Sequence, residues 1–305
     1  MAKVLIAGGT GLVGKRLSVL LKEQGYEVIH LSRRENLEAE FPAYRWDVEK
    51  QEIDPRAMAE VDYVINLAGA GIADKPWTER RKELIVESRT QSTALLQSAI
   101  NALAVKPKAY LAASAIGYYG DRGETLLFED SGPGTQGFLA ESCMVWEEAI
   151  RKLSSSELRI VAIRIGVVLA NGGGAFPKMK MSLPFRVAPY FGNGQQWFSW
   201  IHIDDLCGIF IHALENEEVQ GFYNGVAPNP HRNKSLTKEM LKASKYKAML
   251  VPTPNLALRA AMGEMADVVL SGSKVSANKI MAAGYEFQFP ELAEAFKDLF
   301  APPEA

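Results

Sequence analysis

A glycine-rich loop near the start of the chain constrains the fold more than any other feature of the sequence. Residues 8–14 read GGTGLVG, and they join the apolar run 3–7 to a stretch, 11–24, with apolar residues at helical spacing. Glycines in such a loop permit a tight turn, close approach of the backbone to a pyrophosphate and close helix packing. Free N–H groups at the start of the helix attract phosphate. This context predicts a dinucleotide site and not merely a packing turn, with the contacts Gly8, Thr10, Gly11, Leu12, Val13 and Gly14.

The end of the next apolar run indicates which dinucleotide to expect. Residues 26–31 predict a second strand, and Ser32, Arg33 and Arg34 follow it. A site for NAD usually places an acidic residue here, roughly 20 residues past the glycines, to bind the ribose hydroxyls. These three positions hold no acid, and guanidinium groups suit a phosphate. We therefore predict NADP(H), with Ser32, Arg33 and Arg34 as contacts; the alternative is a solvated basic turn.

Apolar runs and amphipathic stretches alternate along the first half of the chain. This order predicts parallel strands joined by crossover helices, and thus a doubly wound α/β sheet of the Rossmann type. We assign residues 1–170 to this domain and residues 171–305 to a smaller α+β lobe for the substrate, with the chain returning to the sheet near 221–226. The predicted strands are 3–7, 26–31, 44–47, 62–67, 108–114 and 159–169, and the predicted helices are 11–24, 78–103, 136–153 and 206–214.

Several short motifs follow the glycine loop in a specific order. They are Asp47-Val48, Asn66-Leu67-Ala68-Gly69, Ser114 with Tyr118-Tyr119-Gly120, Gly192-x-Gly194, and residues 200–205 (WIHIDD), 223–228 (YNGVAP) and 284–290 (GYEFQFP). With them the chain resembles, over essentially its whole length, the extended, sugar-nucleotide-epimerase-like branch of the short-chain dehydrogenase/reductase superfamily. Within that branch it resembles the "epimerase family" proteins that carry a distinctive C-terminal domain.

The resemblance implies further cofactor contacts. Asp47 would accept a hydrogen bond from the adenine amino group, with Val48 beside the ring. The backbone of Leu67, Ala68 and Gly69 would line the cofactor ribose. The alternatives are a turn or cap residue for Asp47 and a plain strand-end turn for residues 67–69.

The resemblance also implies a serine, a tyrosine and a lysine at the reacting centre, and here the sequence departs from the pattern. Ser114 matches the serine that hydrogen-bonds the substrate oxygen. Alignment through Glu147, however, puts Leu139 at the tyrosine and Cys143 at the lysine, and neither supports the usual proton transfer. We name Tyr118 and Glu141 as substitutes, although Tyr118 also fits a packed aromatic residue and Glu141 a solvated charge.

Together these features favour an NADP(H)-dependent oxidoreductase or a nucleoside-diphosphate-sugar epimerase-like enzyme acting on a carbonyl or hydroxyl group. The substrate would be a small molecule, with a nucleotide sugar as one possibility. The alternative is an NADP-binding sensor or scaffold with weak catalysis, which the missing tyrosine and lysine support.

The composition of the chain limits the binding partners and the cellular compartment that we expect. The formal net charge is −2, from 34 Lys+Arg and 36 Asp+Glu, which argues against a general nucleic-acid or membrane-surface binder. No apolar run reaches the roughly 18–20 residues of a membrane span. Cys143 and Cys207 lack metal-site spacing and form no disulfide framework. We expect a cytoplasmic protein without a metal; the oligomeric state stays open.

Overall fold

A computed structural model describes residues 1–153 and 158–301 of the chain. Its strands are β1 (Lys3–Ala7), β2 (Glu27–Ser32), β3 (Ala43–Asp47), β4 (Glu52–Ile53), β5 (Tyr63–Asn66), β6 (Ala109–Ala115), β7 (Leu126–Leu127), β8 (Arg159–Ile165), β9 (Val167–Ala170), β10 (Gly173–Gly174), β11 (Val187–Phe191), β12 (Trp197–Phe198), β13 (Trp200–His202), β14 (Gly221–Gly225), β15 (His231–Arg232), β16 (Met249–Thr253) and β17 (Lys274–Val275). Its α-helices are α1 (Leu12–Glu23), α2 (Glu79–Ala102), α3 (Phe138–Arg151), α4 (Phe176–Lys180), α5 (Ile203–Glu215), α6 (Asn233–Ala243), α7 (Asn255–Met262), α8 (Asp267–Leu270), α9 (Asn278–Ala282) and α10 (Leu292–Phe300).

The large sheet has eight strands in the order β14-β8-β6-β5-β1-β2-β3-β4. Every neighbouring pair is parallel except β3 and the short edge strand β4. The strand order reverses between β1 and β5, so the carboxyl ends of these two strands border the crevice in which doubly wound sheets bind ligands. The predicted Rossmann-type sheet is confirmed.

Helices cover both faces of this sheet, as parallel strands that are apolar on both sides require. On one face α1 and α5 pack through Leu17, Leu21, Leu206 and Phe210. On the other face α2 and α3 contribute a second core, which includes Leu96, Ile100, Trp146 and Ile150. The two cores hold the ends of the strands rigidly in place, and the candidate site lies at those ends.

A third core supports a smaller C-terminal lobe. It joins β9 and β13 to α4, α6 and α10, with Phe176, Trp200 and Phe296 fully buried at its centre. Between the parts of this lobe the chain returns to the large sheet as β14, which pairs in parallel with β8. The domain boundary at residue 170 stays a prediction, since β14 shows that the chain crosses between the two regions more than once.

Candidate functional site

The glycine loop forms the turn between β1 and α1. Gly8 has a φ of +85°, and a Cβ at this position would lie 2.8 Å from the carbonyl carbon of Leu67, at the end of β5. A Cβ on Gly14 would overlap Gly8 O, so glycine there lets α1 pack directly against the loop. Any larger side chain at Gly8 or Gly14 would therefore disturb the packing of the loop.

The start of α1 faces away from these contacts and is open to a ligand. Gly11 is exposed at the N-cap position, and among the described residues no side chain caps the helix there. The first N–H groups of an uncapped helix, together with its dipole, attract an anion. Thr10 is exposed beside this end of the helix, while Leu12 and Val13 are half-buried. This geometry fits a dinucleotide pyrophosphate.

A broad pocket of about 840 Å³ lies next to the carboxyl ends of β2 and β3. Arg33 and Arg34 line it, and so does Arg45, which projects from β3 and which the sequence analysis missed. All three side chains are exposed, and none forms an ion pair within residues 1–153 or 158–301. Ser32 Oγ accepts a weak bond from the N–H of Arg34 at 3.4 Å. Unpaired guanidinium groups around one pocket fit a phosphate group.

Asp47 lies at the end of β3 and also lines this pocket. Its Oδ1 accepts a hydrogen bond from the backbone N–H of Lys50 at 3.1 Å, so the residue caps a turn in this structure. Val48 follows it, half-buried. The second carboxylate oxygen still faces Lys50 Nζ at 3.9 Å. Both the turn role and the adenine contact of Asp47 are compatible with this position.

The end of β5 lies beside the glycine loop. Leu67 N–H donates to Ala7 O at 2.8 Å, and Ala68 N–H donates to Asn66 Oδ1 at 3.1 Å. Leu67 and Ala68 are half-buried and Gly69 is exposed. The segment 67–69 therefore borders the same crevice as the glycine loop, as the resemblance implies.

A cleft of about 630 Å³ opens at the carboxyl ends of β6 and β8. Its floor includes Ala115 at the end of β6 and Gly166 between β8 and β9. Its walls come from α2, the start of α3, the strand β12 and the segment 267–273. Most of the lining side chains are apolar, among them Ile72, Trp77, Ile85, Ile116, Phe138, Leu139 and Trp146. A cleft that combines apolar walls with polar and charged side chains, beside a cofactor crevice, is a candidate substrate site.

Ser114 is next to this cleft in sequence but does not line it. Its side chain is buried, and its Oγ donates to Glu147 Oε1 at 2.8 Å. Glu147 is fully buried and also receives bonds from Arg164 Nε and Nη2, at 2.8 and 2.9 Å. Because side chains alternate along a strand, Ala115 faces the cleft and Ser114 faces this ion pair. The serine hydroxyl supports the buried ion pair in this structure.

The two tyrosines after β6 are also packed inside the protein. Tyr119 OH donates to Asn224 Oδ1 at 2.7 Å and accepts from Arg164 Nη1 at 2.8 Å. Burial raises the pKa of Tyr119 to about 12. The ring of Tyr118 lies 3.9 Å from the Arg164 guanidinium carbon, and neither ring lines the cleft. Tyr118 therefore occupies the position of a packed aromatic residue.

Helix α3 replaces the expected tyrosine and lysine with groups that do not transfer protons. Leu139 and Cys143 line the cleft. Burial raises the pKa of the Cys143 thiol to about 12, so the thiol stays protonated at neutral pH. Glu141 is exposed in the first turn of α3 and lies outside the cleft lining, because the helix turns it towards solvent. Sequence spacing alone did not distinguish Glu141 from its neighbours that face inwards.

Similar proteins agree with this architecture. The model of the NAD-dependent epimerase/dehydratase family matches residues 4–224, and a domain of unknown function, DUF1731, matches residues 253–299. The chain belongs to the NAD-dependent epimerase/dehydratase family. It is 36% identical over 302 residues to the mouse epimerase family protein SDR39U1, covering 98% of this chain and 100% of that protein. It is 32% identical to the Bacillus subtilis epimerase family protein YfhF, with 98% of each chain covered.

Solved structures of family members superpose on nearly the whole chain. A crystal structure of the human epimerase family protein SDR39U1 with NADPH matches with a TM-score of 0.89 at 34% identity, covering 98% of this chain and 99% of that one. A nucleoside-diphosphate sugar epimerase from Corynebacterium glutamicum matches with a TM-score of 0.79 at 31% identity. This chain is covered to 98% in that match but spans only 58% of the Corynebacterium protein.

Nowhere in residues 1–153 and 158–301 do three or more His, Cys, Asp or Glu side chains converge as metal ligands. In the same ranges, no helix has the length and apolar character needed to cross a membrane.

Proposed function

We propose that this family member is an NADP(H)-dependent enzyme that transfers hydride between the nicotinamide and a carbonyl or hydroxyl carbon of a small molecule. The choice of NADP(H) rests on the pocket that is lined by Arg33 and Arg34, which follow β2, and by Arg45 on β3. When bound, the nicotinamide supplies the hydride chemistry, and the protein orients it against the substrate. The similar human protein, whose crystal structure contains NADPH, supports the same choice.

Different residues of the protein would contact different parts of the cofactor. The N–H groups at the start of α1 would bind the pyrophosphate, and Asp47 and Val48 would contact the adenine. The backbone of Leu67, Ala68 and Gly69 would line a ribose. This arrangement would direct the nicotinamide towards the cleft at the end of β6, where the substrate would bind.

A nucleotide sugar is the substrate class with the most support. A second pocket of about 550 Å³ adjoins the cleft, sharing Asp121, Trp197 and Gly272 with it. Arg232 and Lys274 lie over the Trp197 ring there, at 4.5 and 4.6 Å from its centre, and Arg232 also pairs with Glu124. Cationic groups held against an aromatic ring suit a phosphorylated group. The Corynebacterium relative, described as a nucleoside-diphosphate sugar epimerase, supports this class.

Cofactor titration tests the proposal. We expect NADPH to bind at least about tenfold more tightly than NADH, because a charge-assisted phosphate contact contributes about 1.5–3 kcal/mol. Added salt should reduce the preference, since the arginines are exposed and their charge is screened. Replacing Arg33 and Arg34 together with alanine should weaken NADPH binding far more than NADH binding, as measured by calorimetry.

The matched control is Arg80→Ala, which removes one exposed positive charge from α2. It should leave the affinities for both cofactors unchanged. Equal affinities of the wild-type protein for NADPH and NADH, or parallel losses in the double variant, would contradict the assignment of the arginines.

A second function is favoured by the cleft itself. Leu139 and Cys143 stand where a tyrosine and a lysine would act, and Tyr118, Tyr119 and Ser114 are turned away from the cleft. A protein that binds NADP(H) and acts as a sensor or scaffold would need no proton donor there. NADPH binding without hydride exchange across a broad panel of carbonyl compounds and nucleotide sugars would favour this function over the enzyme.

A further inference from the structure

Two cations line the cleft without a carboxylate partner among the described residues: Arg122, which is exposed and donates to Pro133 O, and Arg89. Arg89 projects from α2 into the cleft, and its Nη1 donates to Ile85 O at 2.7 Å. In the part of the chain that the structure describes, its other N–H groups form no hydrogen bond and no acidic side chain pairs with it. Arg122 is exposed to solvent, whereas Arg89 is half-buried, and desolvation lowers the pKa of Arg89. A partly desolvated guanidinium without an anion is unfavourable, and an anionic ligand in the cleft would offset this cost.

The guanidinium is held in a fixed place. Its carbon lies 4.9 Å from the centre of the Trp146 ring, so the flat group is stacked on the indole. A Cβ at Gly69 would come within 3.2 Å of the guanidinium carbon. Stacking and the bond to Ile85 O restrain the rotation of the side chain, which lines the cleft.

The surrounding charges increase the attraction for an anion. Arg81 lies about two turns earlier on α2, and its charge acts on Arg89 although it also faces Asp74 Oδ2 at 3.8 Å. Arg81 also carries a buried Nε that lacks a hydrogen-bond partner among the residues described. The two carboxylates that line the cleft are committed elsewhere: Asp121 accepts from Gly123 N–H at 2.9 Å, and Asp267 pairs with Arg259 at 3.0 Å.

We propose that Arg89 is an anion-binding residue that takes a carboxylate or phosphate group of the substrate. The cofactor phosphates have other sites, at the start of α1 and beside Arg33 and Arg34. Arg89 instead lies between Gly69 and Cys143, the position at which the resemblance expects a lysine. The apolar walls around it imply that the anionic group is joined to an apolar or flat part of the ligand. This inference rests on the proposed function, because it places the substrate in the same cleft.

Benzoate and benzamide form a matched pair of probes, since they share a shape and differ in charge. We expect the NADPH-saturated full chain to bind benzoate at least about tenfold more tightly than benzamide, as a charge-assisted fork implies. Arg89→Gln should abolish this preference, whereas Arg89→Lys should keep part of it. Arg80→Gln removes a charge from the exposed face of the same helix, and it should change benzoate affinity less than twofold. Calorimetric titration measures each affinity.

NADPH affinity, measured for every variant, separates the outcomes. Wild-type NADPH affinity in Arg89→Gln shows that the variant is folded and that the residue serves the substrate. Parallel loss of NADPH and benzoate binding would assign Arg89 to the cofactor and overturn the proposal. Equal binding of the two probes, or no binding of either benzoate or inorganic phosphate to the wild-type protein, would also overturn it. Arg89-dependent benzoate binding in a protein that fails to bind NADPH would instead refute the proposed function and keep the anion site.

Discussion

His30 is a buried residue beside the glycine loop, and its protonation makes the stability of the fold depend on pH. It lies on β2, and its Nε2 is 2.7 Å from Ser18 Oγ on α1. Its ring stacks on Phe41 at 5.4 Å and fills the space where a side chain on Gly9 would otherwise project. Burial lowers the pKa of His30 from 6.5 to about 4. The folded protein therefore keeps this imidazole neutral at physiological pH.

This pKa predicts a loss of stability in mild acid. Between pH 6.5 and 4 the unfolded chain binds a proton at His30 and the folded chain does not, so the free energy of unfolding falls as the pH falls. Above pH 6.5 the effect vanishes. Urea unfolding at pH 7 and pH 4.5 should show that the wild-type protein loses about 2 kcal/mol more than His30→Gln does over this interval. Equal losses in the two proteins would mean that His30 titrates normally.

For single residues, the sequence predicted the positions of the cofactor-site residues better than the directions in which side chains point. The glycines and Arg33 and Arg34 lie where the pattern placed them, because backbone position decides their role. Ser114 and Glu141 point away from the cleft, and direction depends on packing that a motif does not record. The sequence motifs assigned no role to Arg89. The sequence did offer one signal for Arg89: it is a basic residue on the same face of α2 as the apolar Ile85.

Helix α1 and its loop form the element on which cofactor binding most depends. Gly11 has a φ of −75°, which any residue adopts, and a Cβ there would lie 3.2 Å from Gly8 O, so Gly11→Val should fold with a small shift of the loop. Its side chain would cover the exposed start of the helix and block the pyrophosphate. We expect NADPH affinity to fall at least about tenfold, since loss of one charge-assisted contact costs about 1.5–3 kcal/mol.

Gly132→Val is the matched control for this substitution. Gly132 has open space around it and no positive φ, so the same side chain should be accommodated there. Its NADPH affinity should equal that of the wild-type protein. A folded Gly11→Val protein that binds NADPH as tightly as the control would remove the glycine loop from the cofactor site.

Periodicity predicted the regular elements of the first half well and their junctions less well. The bounds of β1, α1, α2 and β6 agree with prediction to within about two residues, the usual uncertainty of such bounds. The single strand predicted over 159–169 is two strands, β8 and β9, which part at Gly166. A Cβ there would overlap Ser199 and Val226. The helix predicted over 206–214 begins at Ile203, with His202 as its cap.

On the scale of the whole molecule, a buried carboxylate on α5 helps to join the C-terminal region to the large sheet. Asp205 on α5 is fully buried. Its Oδ1 accepts from Gln288 N–H at 2.7 Å and from Tyr285 OH at 3.1 Å, and its Oδ2 accepts from Phe289 N–H at 3.0 Å. The segment 285–289 lies in the part of the chain matched by DUF1731. Helix α5 thus joins that region to the nucleotide-binding sheet, although the two lie far apart in sequence.

Removing this carboxylate should destabilise the whole chain. Asp205→Ala leaves two backbone N–H groups unpaired, while Tyr285 OH keeps its bond to the carbonyl oxygen of residue 205 at 3.0 Å. Each unsatisfied donor costs about 1–3 kcal/mol, so we expect a loss of at least about 2 kcal/mol in the free energy of unfolding. The neighbouring Asp204 forms a half-exposed ion pair with Arg16 at 2.6 Å, and Asp204→Ala should cost about 1 kcal/mol or less. Urea unfolding of both variants measures the difference, and hydrogen exchange at Gln288 and Phe289 reports whether the segment detaches first. Equal losses in the two variants would mean that apolar packing on α5, and not Asp205, holds the C-terminal region to the sheet.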